Sequence, residues 1–513
     1  MPGNRRASKN CFVTLEMVGI IEANARGSEP ILANGCIVGR PTNGGYGWRV
    51  GKSLALAMVE PRFGVPGQEL DIVILGKSYR ASLKVHSIRQ YQTEGLAPMT
   101  LHDIIRHDLK TRKPCHALSQ KFYADRDVFN LDLDLIFYKE WIFAGHECEI
   151  PKPGDYFTMQ IGAYALILVR DQAGELRAHH NTCRHRGFKI CAATHGQVKR
   201  RFVCPYHQWS YGLDGALVGA RETGDGFDPR AHGLKSAHVE SIGGHIFVCV
   251  AREAPSIAAL KMQIEPYLMP FDLRNAKVAF ESRIVEHGNW KLVMENNREC
   301  YHCAASHPEL TRTFPESTLH SGAGDEAERA DLEQLVEACE AMGLPSRFWI
   351  SDDNQCRVMR MRLLDDARSM TIIGKPAVTG KTLGRIPAEP NIGDVLLYHF
   401  PSTWSHFTAD HALSFRVLPV SPTETELVSK WLVPKDAIEG VDYNLKALTE
   451  VWLATNEQDR NLVAQNQQGI ASPAYEPGPY APQQEHGVIQ FIDWYCATMS
   501  KRLEGASKLK VVA

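Results

Sequence analysis

The chain has 513 residues, of which 44% are hydrophobic and 23% charged, and this length predicts about three domains at roughly 100–200 residues each. Its 57 Lys and Arg nearly balance 59 Asp and Glu, so it lacks the basic excess that nucleic-acid binders and proteins of anionic membrane surfaces usually carry. No apolar stretch reaches the roughly 18–20 residues of a membrane span, the N-terminus lacks a secretory core and the 13 cysteines follow no disulfide framework, so we expect a cytoplasmic protein.

Residues 1–97 form the first predicted domain, a small β-barrel of short strands. The clearest strand candidates are Cys36–Gly39, Ser53–Val59 and Glu69–Leu75. Turns are predicted at Asn43-Gly-Gly and at Pro66-Gly, because these dipeptides favour chain reversal.

This region resembles the C-terminal barrel of the glycine-cleavage T-protein (aminomethyltransferase) family, which also ends dimethylglycine- and sarcosine-oxidising enzymes. The resemblance rests on the stretches Arg26–Pro30, Gly44–Ala57 and Pro66–Leu70. The larger, folate-holding part of that family has no counterpart here, so folate binding is not carried over. A structural remnant of a gene fusion is the interpretation we favour, and a folate-binding, formaldehyde-capturing segment is the alternative.

A polar connection runs from about Ser87 to Thr100. Residues 98–124 are interpreted as the linker and helix that pack on the catalytic domain, with the helix predicted from Leu101 to Lys110. Residues 125–254 predict an all-β domain, and residues 255–513 an α+β domain. The clearest strands are Tyr164–Arg170, His245–Val250, Asp394–Phe400 and Leu413–Leu418. The predicted fold class is therefore multidomain, mainly β plus α+β.

Two short motifs in the middle domain, Cys183-Arg-His185 and Cys204-Pro-Tyr-His207, have the residue types and spacing of a metal site. A zinc finger usually places both Cys in one motif and both His in the other. Here each motif supplies one of each, so two facing loops would bring the thiolates to one side and the imidazoles to the other. That is the ligand pattern of a Rieske [2Fe–2S] centre, and a zinc site is the alternative.

A second group of candidate ligands lies in a predicted helical segment that ends at Pro308. Glu299 and His302 are three residues apart and share a helix face. On an unbroken helix His307 would point about 140° away from His302, so we expect the helix to loosen before Pro308 and bring the two imidazoles together. Two His at one site suit Zn, Cu or non-haem iron.

A carboxylate ligand is predicted on a long helix from about Asp442 to Gly469. Asp459 lies on its apolar stripe, where a carboxylate is costly to bury unless a cation or a donor neutralises it. We therefore join Asp459 to His302 and His307 as a two-His-one-carboxylate triad that holds Fe2+, typical of non-haem oxygenases. An Asp satisfied by Arg or by backbone groups is the alternative, and Glu457, on the other helix face, is the competing ligand.

Residues from about Leu101 to Ser500 resemble the α subunit of a Rieske non-haem iron oxygenase, through both ligand motifs and the stretches Trp141–His146, Asn456–Asp459 and Gln467–Gly469. The resemblance implies a helix-grip catalytic domain, a homotrimer, a Rieske [2Fe–2S] cluster, a mononuclear Fe2+ and O2 as co-substrate. Electrons from NAD(P)H would arrive through a separate ferredoxin or flavin reductase. Glu299 occupies the position, usually Asp, that bridges to a Rieske His of the neighbouring subunit; a carboxylate paired with Arg298 is the alternative.

The Glu-Cys-Tyr-His-Cys sequence around His302 is similar to that of glycine betaine and choline monooxygenases. The expected reaction is demethylation of glycine betaine to dimethylglycine and formaldehyde. A trimethylammonium group requires an aromatic cage, because cation–π contact replaces its lost hydration. The cage candidates are Tyr398, Trp404, His406 and Phe407, and ordinary strand packing is the alternative for each. An aromatic-ring dioxygenase α subunit and a pure Rieske electron carrier are the alternative functions.

Overall fold

A computed structural model describes residues 11–18, 27, 29–47, 52–84, 100–315 and 326–509. The chain divides into two compact units, residues 1–101 and residues 102–513. Among the described residues, no helix is both long enough and apolar enough to cross a lipid bilayer.

The first unit is a closed antiparallel barrel of six strands in the order β1-β4-β3-β2-β5-β6. The strands are β1 (Cys11–Met17), β2 (Ile31–Ala33), β3 (Cys36–Gly47), β4 (Lys52–Val59), β5 (Glu69–Ile74) and β6 (Lys77–Lys84). Alternate residues of each strand point inward, as the two-residue period of a strand requires, so that Val13, Leu15 and Met17 of β1 enter the core. The predicted small barrel is confirmed.

One predicted turn of this barrel is wrong. Asn43-Gly-Gly lies inside β3, where Gly44 is paired with Ala55 of β4. The ladder shifts register between Pro41 and Asn43, so these glycines follow a β-bulge or similar irregularity in a continuous strand and do not form a chain reversal. Pro66-Gly does form a turn, with Gly67 at φ 82°. Residues 26, 28, 48–51 and 85–99 of the predicted motifs and linker lie outside the described residues.

The second unit begins with helices and then forms the all-β domain. Its helices are α1 (Leu101–Thr111), α2 (Lys121–Ala124) and α3 (Arg126–Asp132), followed by a π-helical turn, Leu133–Phe137. A seven-stranded sheet of order β11-β8-β9-β10-β15-β16-β7 and a three-stranded sheet, β12-β13-β14, follow. Their strands are β7 (Ile142–His146), β8 (Asp155–Ile161), β9 (Tyr164–Arg170), β10 (Leu176–His180), β11 (His195–Gln197), β12 (Arg201–Val203), β13 (Ser210–Gly212), β14 (Leu217–Gly219), β15 (Ser236–Ile242) and β16 (His245–Cys249).

The rest of the unit is built on a seven-stranded antiparallel sheet of order β17-β23-β22-β21-β20-β19-β18. Its strands are β17 (Ala276–Glu286), β18 (Trp349–Ile350), β19 (Cys356–Met361), β20 (Asp394–His399), β21 (Thr403–Phe407), β22 (Ala412–Ser421) and β23 (Glu424–Pro434). The helices are α4 (Ala258–Leu268), α5 (Trp290–Asn297), α6 (Cys303–Ser306), α7 (Glu326–Ala341), α8 (Leu445–Ile470) and α9 (His486–Leu509). Short 3₁₀ turns occur at Pro61–Phe63, Glu147–Glu149, Pro229–His232, Met269–Phe271, Leu273–Asn275, Leu310–Arg312 and Leu364–Asp366.

The two faces of the β17–β23 sheet have different neighbours. On β21, Phe407 packs against the His245 ring of the all-β domain, with ring centroids 5.7 Å apart. His406, the preceding residue, points to the opposite face and contacts Trp452 of α8, with ring centroids 4.7 Å apart. The all-β domain therefore covers one face and α8 the other, as the period of a strand allows. The predicted α+β class of this domain is confirmed.

A buried polar cluster fixes the start of α5, the helix that leads into the predicted metal-binding segment. Asp132 and Lys291 are both fully buried and form an ion pair. Nε1 of Trp290 donates to Oδ2 of Asp132 at 3.0 Å, and the Tyr495 hydroxyl donates to Oδ1 at 2.7 Å. Both carboxylate oxygens of Asp132 are thus paired, and such hydrogen bonds are part of the condition under which a buried ion pair is tolerated.

Replacing Asp132 by Ala is expected to destabilise this unit by about 3–5 kcal/mol, because Lys291 would be left as a buried charge without a counter-ion. Calorimetric unfolding of wild type and variant measures the effect. The control is Glu333→Ala, which removes an exposed ion pair with Arg347 and should cost below about 1 kcal/mol. Equal effects of the two substitutions would contradict this assignment.

Candidate functional sites

The Cys183/His185 and Cys204/His207 motifs lie on two loops that share one pattern of backbone hydrogen bonds. The backbone N–H of Cys183 donates to Phe188 at 2.9 Å, and that of Cys204 donates to Trp209 at 2.8 Å. In return, the N–H groups of Gly187 and Gln208 each donate to the carbonyl of the Cys in their own loop, at 2.9 Å. Gly187 has φ 75° and Gln208 has φ 61°, so both loops turn through the left-handed region.

The four side chains are sorted by type, as the sequence predicts. Both cysteine side chains are buried, whereas both imidazoles are exposed and their ring centroids are 4.6 Å apart. Burial raises the pKa of the Cys204 thiol, and so does the adjacent thiol of Cys183. Two neighbouring thiols in a buried site become thiolates when a cation binds them. The donor set therefore fits a [2Fe–2S] cluster with sulfur ligands inside and histidines at the surface.

Aromatic side chains hold this site in place. Trp209 is buried and stacks on His185, with centroids 4.9 Å apart and an interplanar angle of 7°. The Tyr211 hydroxyl lies 3.2 Å from Sγ of Cys183 and accepts the backbone N–H of Arg184 at 3.0 Å. A hydrogen bond to a ligand sulfur is one of the ways in which a protein tunes an iron–sulfur centre.

The second group of candidate ligands lies where the predicted helix breaks. Helix α5 ends at Asn297, and α6 is only Cys303–Ser306, with His302 and His307 at its two ends. The prediction that the helix loosens before Pro308 is confirmed, although the break comes earlier than expected. Glu299 and His302 therefore face each other across a turn rather than along a helix, with Oε1 of Glu299 2.6 Å from Nδ1 of His302.

Three donor atoms meet beside this turn. Nε2 of His302 and Nε2 of His307 are 3.0 Å apart. Oδ1 of Asp459, from the middle of α8, lies 3.3 Å from Nε2 of His302 and 3.0 Å from Nε2 of His307. The structure thus brings together His302, His307 and Asp459, the three residues that the sequence predicts as one ligand set. Glu457, the competing candidate, is exposed and pairs with Arg460 on the outer side of α8.

These separations fit one octahedral face around a divalent metal ion. Nitrogen and oxygen ligands of first-row divalent metals lie about 2.1 Å from the ion, so two ligands at a right angle are about 3.0 Å apart. Two imidazoles and one carboxylate, with the remaining positions free, form the 2-His-1-carboxylate set of non-haem Fe(II) enzymes. Burial lowers the pKa of His302, but Asp459 and Glu299 outweigh it and raise the pKa to about 9.

Both imidazoles are oriented through their second nitrogen. Nδ1 of His302 lies against Glu299, and Nδ1 of His307 lies 2.8 Å from Oε1 of Gln458. Gln458 in turn donates from Nε2 to Oε2 of Glu309 at 2.8 Å. Such partners commonly fix the tautomer and the ring orientation of a metal ligand. The sequence reasoning missed Gln458, whose position beside Asp459 was the only available signal.

A cavity opens from the three donor atoms between α8 and the sheet. Of the predicted cage residues, Tyr398 and His406 line it, whereas Trp404 stacks on Phe415 with centroids 4.7 Å apart. Phe407 lies on the opposite sheet face, because it is one residue out of phase with His406. Neither Trp404 nor Phe407 lines the cavity. Its other lining residues that the sequence reasoning did not select include Arg298, Phe314, Arg357 and Trp452.

Three of the lining residues form a ring cluster. His406 and Trp452 have centroids 4.7 Å apart, and Phe314 lies 5.7 Å from His406 and 6.5 Å from Trp452. Nδ1 of His406 lies 2.8 Å from Oδ2 of the buried Asp394, which fixes the imidazole. A cluster of this kind can surround a quaternary ammonium group without a hydrogen bond.

A disulfide joins Cys300 and Cys303 on either side of His302, and both residues line the cavity. Cys303 also lies close enough to the two imidazoles to be a further candidate ligand. Its sulfur is engaged in the disulfide, whereas Asp459 presents a free carboxylate oxygen to both rings. The donor set with Asp459 is therefore the one that fits a divalent ion.

Three family descriptions match this chain. Residues 140–236 match "Rieske [2Fe-2S] domain", residues 273–501 match "Ring hydroxylating alpha subunit (catalytic domain)" and residues 10–87 match "Glycine cleavage T-protein C-terminal barrel domain". The three matches account for both candidate metal sites and for the N-terminal barrel.

Two curated relatives differ in how much they share with the chain. The glycine betaine monooxygenase oxygenase subunit of Pseudomonas aeruginosa is 44% identical over 408 residues, which cover 79% of this chain and 94% of the relative. The anthranilate 1,2-dioxygenase large subunit of Acinetobacter baylyi is 31% identical over 238 residues, which cover 44% of this chain and 50% of that protein.

Among solved structures, the quaternary ammonium Rieske monooxygenase CntA in complex with L-carnitine superposes with a TM-score of 0.58 at 19% identity. The match covers 79% of this chain and 99% of that structure. At this identity the likeness concerns the fold, which is that of the second unit described above.

Proposed function

Since the chain belongs to the Rieske non-haem iron oxygenase α subunits, we propose that it removes one N-methyl group from glycine betaine. Enzymes of this family are oxidoreductases that use a Rieske [2Fe–2S] cluster, a mononuclear iron and O2. The observation that carries the proposal is the triangle of His302, His307 and Asp459, with sides of 3.0–3.3 Å, at the wall of a cavity that contains an aromatic ring cluster.

We assign the ligands residue by residue. Cys183, His185, Cys204 and His207 hold the [2Fe–2S] cluster, which the buried thiols and exposed imidazoles support. His302, His307 and Asp459 hold Fe2+. When bound, the ferrous ion supplies O2 activation, for which the cluster stores electrons.

The residues around the second site position the groups that react. Glu299 accepts from Nδ1 of His302 and so keeps Nε2 free for the metal, and Gln458 does the same for His307. Phe314, His406 and Trp452, the aromatic ring cluster, replace the hydration of a trimethylammonium group and hold one methyl toward the triad. Tyr398 lines the same cavity and remains a candidate for substrate contact.

The proposed reaction balances as follows. Glycine betaine, O2, two electrons and two protons give dimethylglycine, formaldehyde and water. One C–H bond of the methyl group becomes C–OH, and the resulting carbinolamine breaks its C–N bond to release formaldehyde. The electrons come from NAD(P)H through a separate ferredoxin or flavin reductase.

We further propose a homotrimer in the cytoplasm, in which electrons pass between subunits. His185 and His207 are exposed, so a neighbouring chain can approach the cluster's histidine side. Glu299, which lies against His302, would bridge from a Rieske His of the neighbouring subunit to the iron site. The N-terminal barrel is proposed to be a structural remnant without folate binding.

Turnover of a substrate panel tests the proposed function. The holoenzyme with a reductase and NAD(P)H is expected to convert glycine betaine to dimethylglycine and formaldehyde in equal amounts, with O2 consumed. The panel also contains choline, carnitine and anthranilate, and products are identified by mass spectrometry. Turnover of anthranilate to a ring-hydroxylated product, with none of glycine betaine, would show an aromatic-ring oxygenase instead.

A further inference from the structure

Two buried guanidinium groups line the same cavity as the iron-binding triad. Arg298 lies just after α5 and is 3% exposed, and Arg357 lies on β19 and is 4% exposed. Neither forms an ion pair with a carboxylate among the described residues. Arginine is essentially always protonated, so the cavity wall holds two positive charges away from bulk water.

Their hydrogen bonds leave part of each guanidinium unpaired. Nη2 of Arg298 donates to Oε1 of Gln490 at 3.1 Å, and Nη1 of Arg357 donates to Nε2 of His486 at 3.0 Å. Nε and Nη1 of Arg298 and Nε of Arg357 are buried without a hydrogen-bond partner among the described residues. Burial lowers the pKa of His486 to about 4, so it accepts as a neutral imidazole. Both protein partners are therefore uncharged.

The ring of Tyr398 makes cation–π contacts with both guanidinium groups, and these contacts do not neutralise their charges. The guanidinium carbon of Arg298 is 3.7 Å from the ring centroid, and that of Arg357 is 5.2 Å away. Burial lowers the pKa of Arg298, and the charge of Arg357 lowers it further. A buried charge that is neither paired nor fully hydrogen-bonded is strongly unfavourable, so this arrangement calls for an anion.

Arg360, the second buried arginine of β19, shows the contrast. Arg360 points to the opposite face of the sheet, where Nε donates to Oγ of Ser346 at 2.6 Å and Nη1 donates to the Ile392 carbonyl at 2.7 Å. Oxygen atoms of the protein itself thus accept hydrogen bonds from its buried donors. Arg298 and Arg357 differ from Arg360 in that they line the cavity with buried donors that no oxygen atom of the described residues accepts.

We propose that Arg298 and Arg357 form a carboxylate anchor, which binds the carboxylate of a zwitterionic quaternary ammonium substrate while its N-methyl group faces the triad. This inference rests on the proposed function and deepens it, because it assigns selection of betaines over choline. The planar guanidinium fork matches the two oxygens of a carboxylate. The ammonium end then lies among Phe314, His406 and Trp452 of the same cavity.

Equilibrium binding to the anaerobic, iron-loaded wild type gives the first test, and it needs no variant. The probes are glycine betaine and its methyl ester, which keeps the trimethylammonium group but has no carboxylate charge. The anchor predicts at least about 10-fold weaker binding of the ester, the loss typical of a charge-assisted hydrogen bond. Equal affinities would overturn the anchor.

Variants give the second test. Arg357→Gln and Arg298→Gln are expected to raise KM for glycine betaine roughly 10–100-fold, while binding of the methyl ester changes less than about 3-fold. Arg357→Lys should recover part of the loss, because it restores the charge but not the fork. Arg360→Gln is the matched control and should leave KM unchanged, and Rieske absorbance and iron content verify folding of each variant.

The outcomes separate this inference from the proposed function. Turnover of glycine betaine with an unchanged KM in both Gln variants overturns the anchor and leaves the demethylase assignment standing. The opposite outcome is also distinguishable. In it, the wild type binds glycine betaine more tightly than its ester, the Gln variants lack that preference, and no form of the protein turns glycine betaine over. The anchor then holds and the proposed reaction fails.

Discussion

The Asp459→Ala variant is expected to lose the mononuclear iron and all measurable demethylation while keeping the Rieske absorbance of the wild type. Oδ1 of Asp459 completes a triangle with Nε2 of His302 and of His307, and two neutral imidazoles alone bind Fe2+ weakly. Loss of a residue that only orients a ligand typically costs 10–100-fold in metal affinity or activity, so loss of the ligand itself should exceed about 100-fold. Iron content, visible absorbance and formaldehyde release measure the three effects.

Glu457→Ala is the matched control for this experiment. Glu457 lies two residues away on the same helix, but its side chain is exposed and pairs with Arg460. Iron content and turnover should therefore stay at the wild-type level. Full iron and full turnover in Asp459→Ala, or a comparable loss in Glu457→Ala, would contradict the ligand assignment.

The Glu299→Ala variant is expected to load both iron centres and yet oxidise its reduced cluster roughly 10–100-fold more slowly when O2 and glycine betaine are added. The reason is that Oε1 of Glu299 lies 2.6 Å from Nδ1 of His302 and is the proposed bridge from a neighbouring cluster. Stopped-flow decay of the reduced Rieske absorbance in a single turnover measures the rate directly.

Glu299→Asp serves as the rescue variant, because it keeps a carboxylate at this position. We expect it to recover most of the rate. Iron analysis accompanies each variant, since Glu299 also accepts the backbone N–H of His302 at 3.3 Å and shapes the turn. Wild-type rates of cluster oxidation in Glu299→Ala would contradict the bridge.

The parts of the site that the sequence predicted are those encoded by short local patterns. Cys183 and His185 are two residues apart, so one loop presents both. Asp459 could be recognised because a carboxylate on the apolar stripe of a helix needs a partner. The break before His307 followed from Pro308. These inferences depend on neighbouring residues, which is why they could be made before the fold was known.

The parts that the sequence did not predict depend on contacts between distant segments. Arg357 enters the cavity because β19 pairs with β20 and presents alternate residues to it, and nothing near Arg357 in the sequence indicates this. Phe314 joins His406 and Trp452 only through tertiary packing. Phe407 was selected with His406 because both are aromatic, although adjacent strand residues face opposite sides of the sheet.

The Asn43-Gly-Gly turn was mistaken for a related reason. Glycine occurs at chain reversals and at bulges within strands alike, and only the pairing of Gly44 with Ala55 shows that β3 continues here. The barrel's strands were easier to predict, because alternation of apolar residues is a property of each strand by itself.

Quantifying iron and acid-labile sulfide in fully loaded protein, together with Mössbauer spectroscopy, tests most directly whether two separate iron centres share this chain. Two separate centres require about three irons and about two sulfides per chain, with a high-spin ferrous site in addition to the reduced Rieske spectrum. About two irons per chain, and a spectrum that the binuclear cluster explains completely, would contradict the presence of two centres.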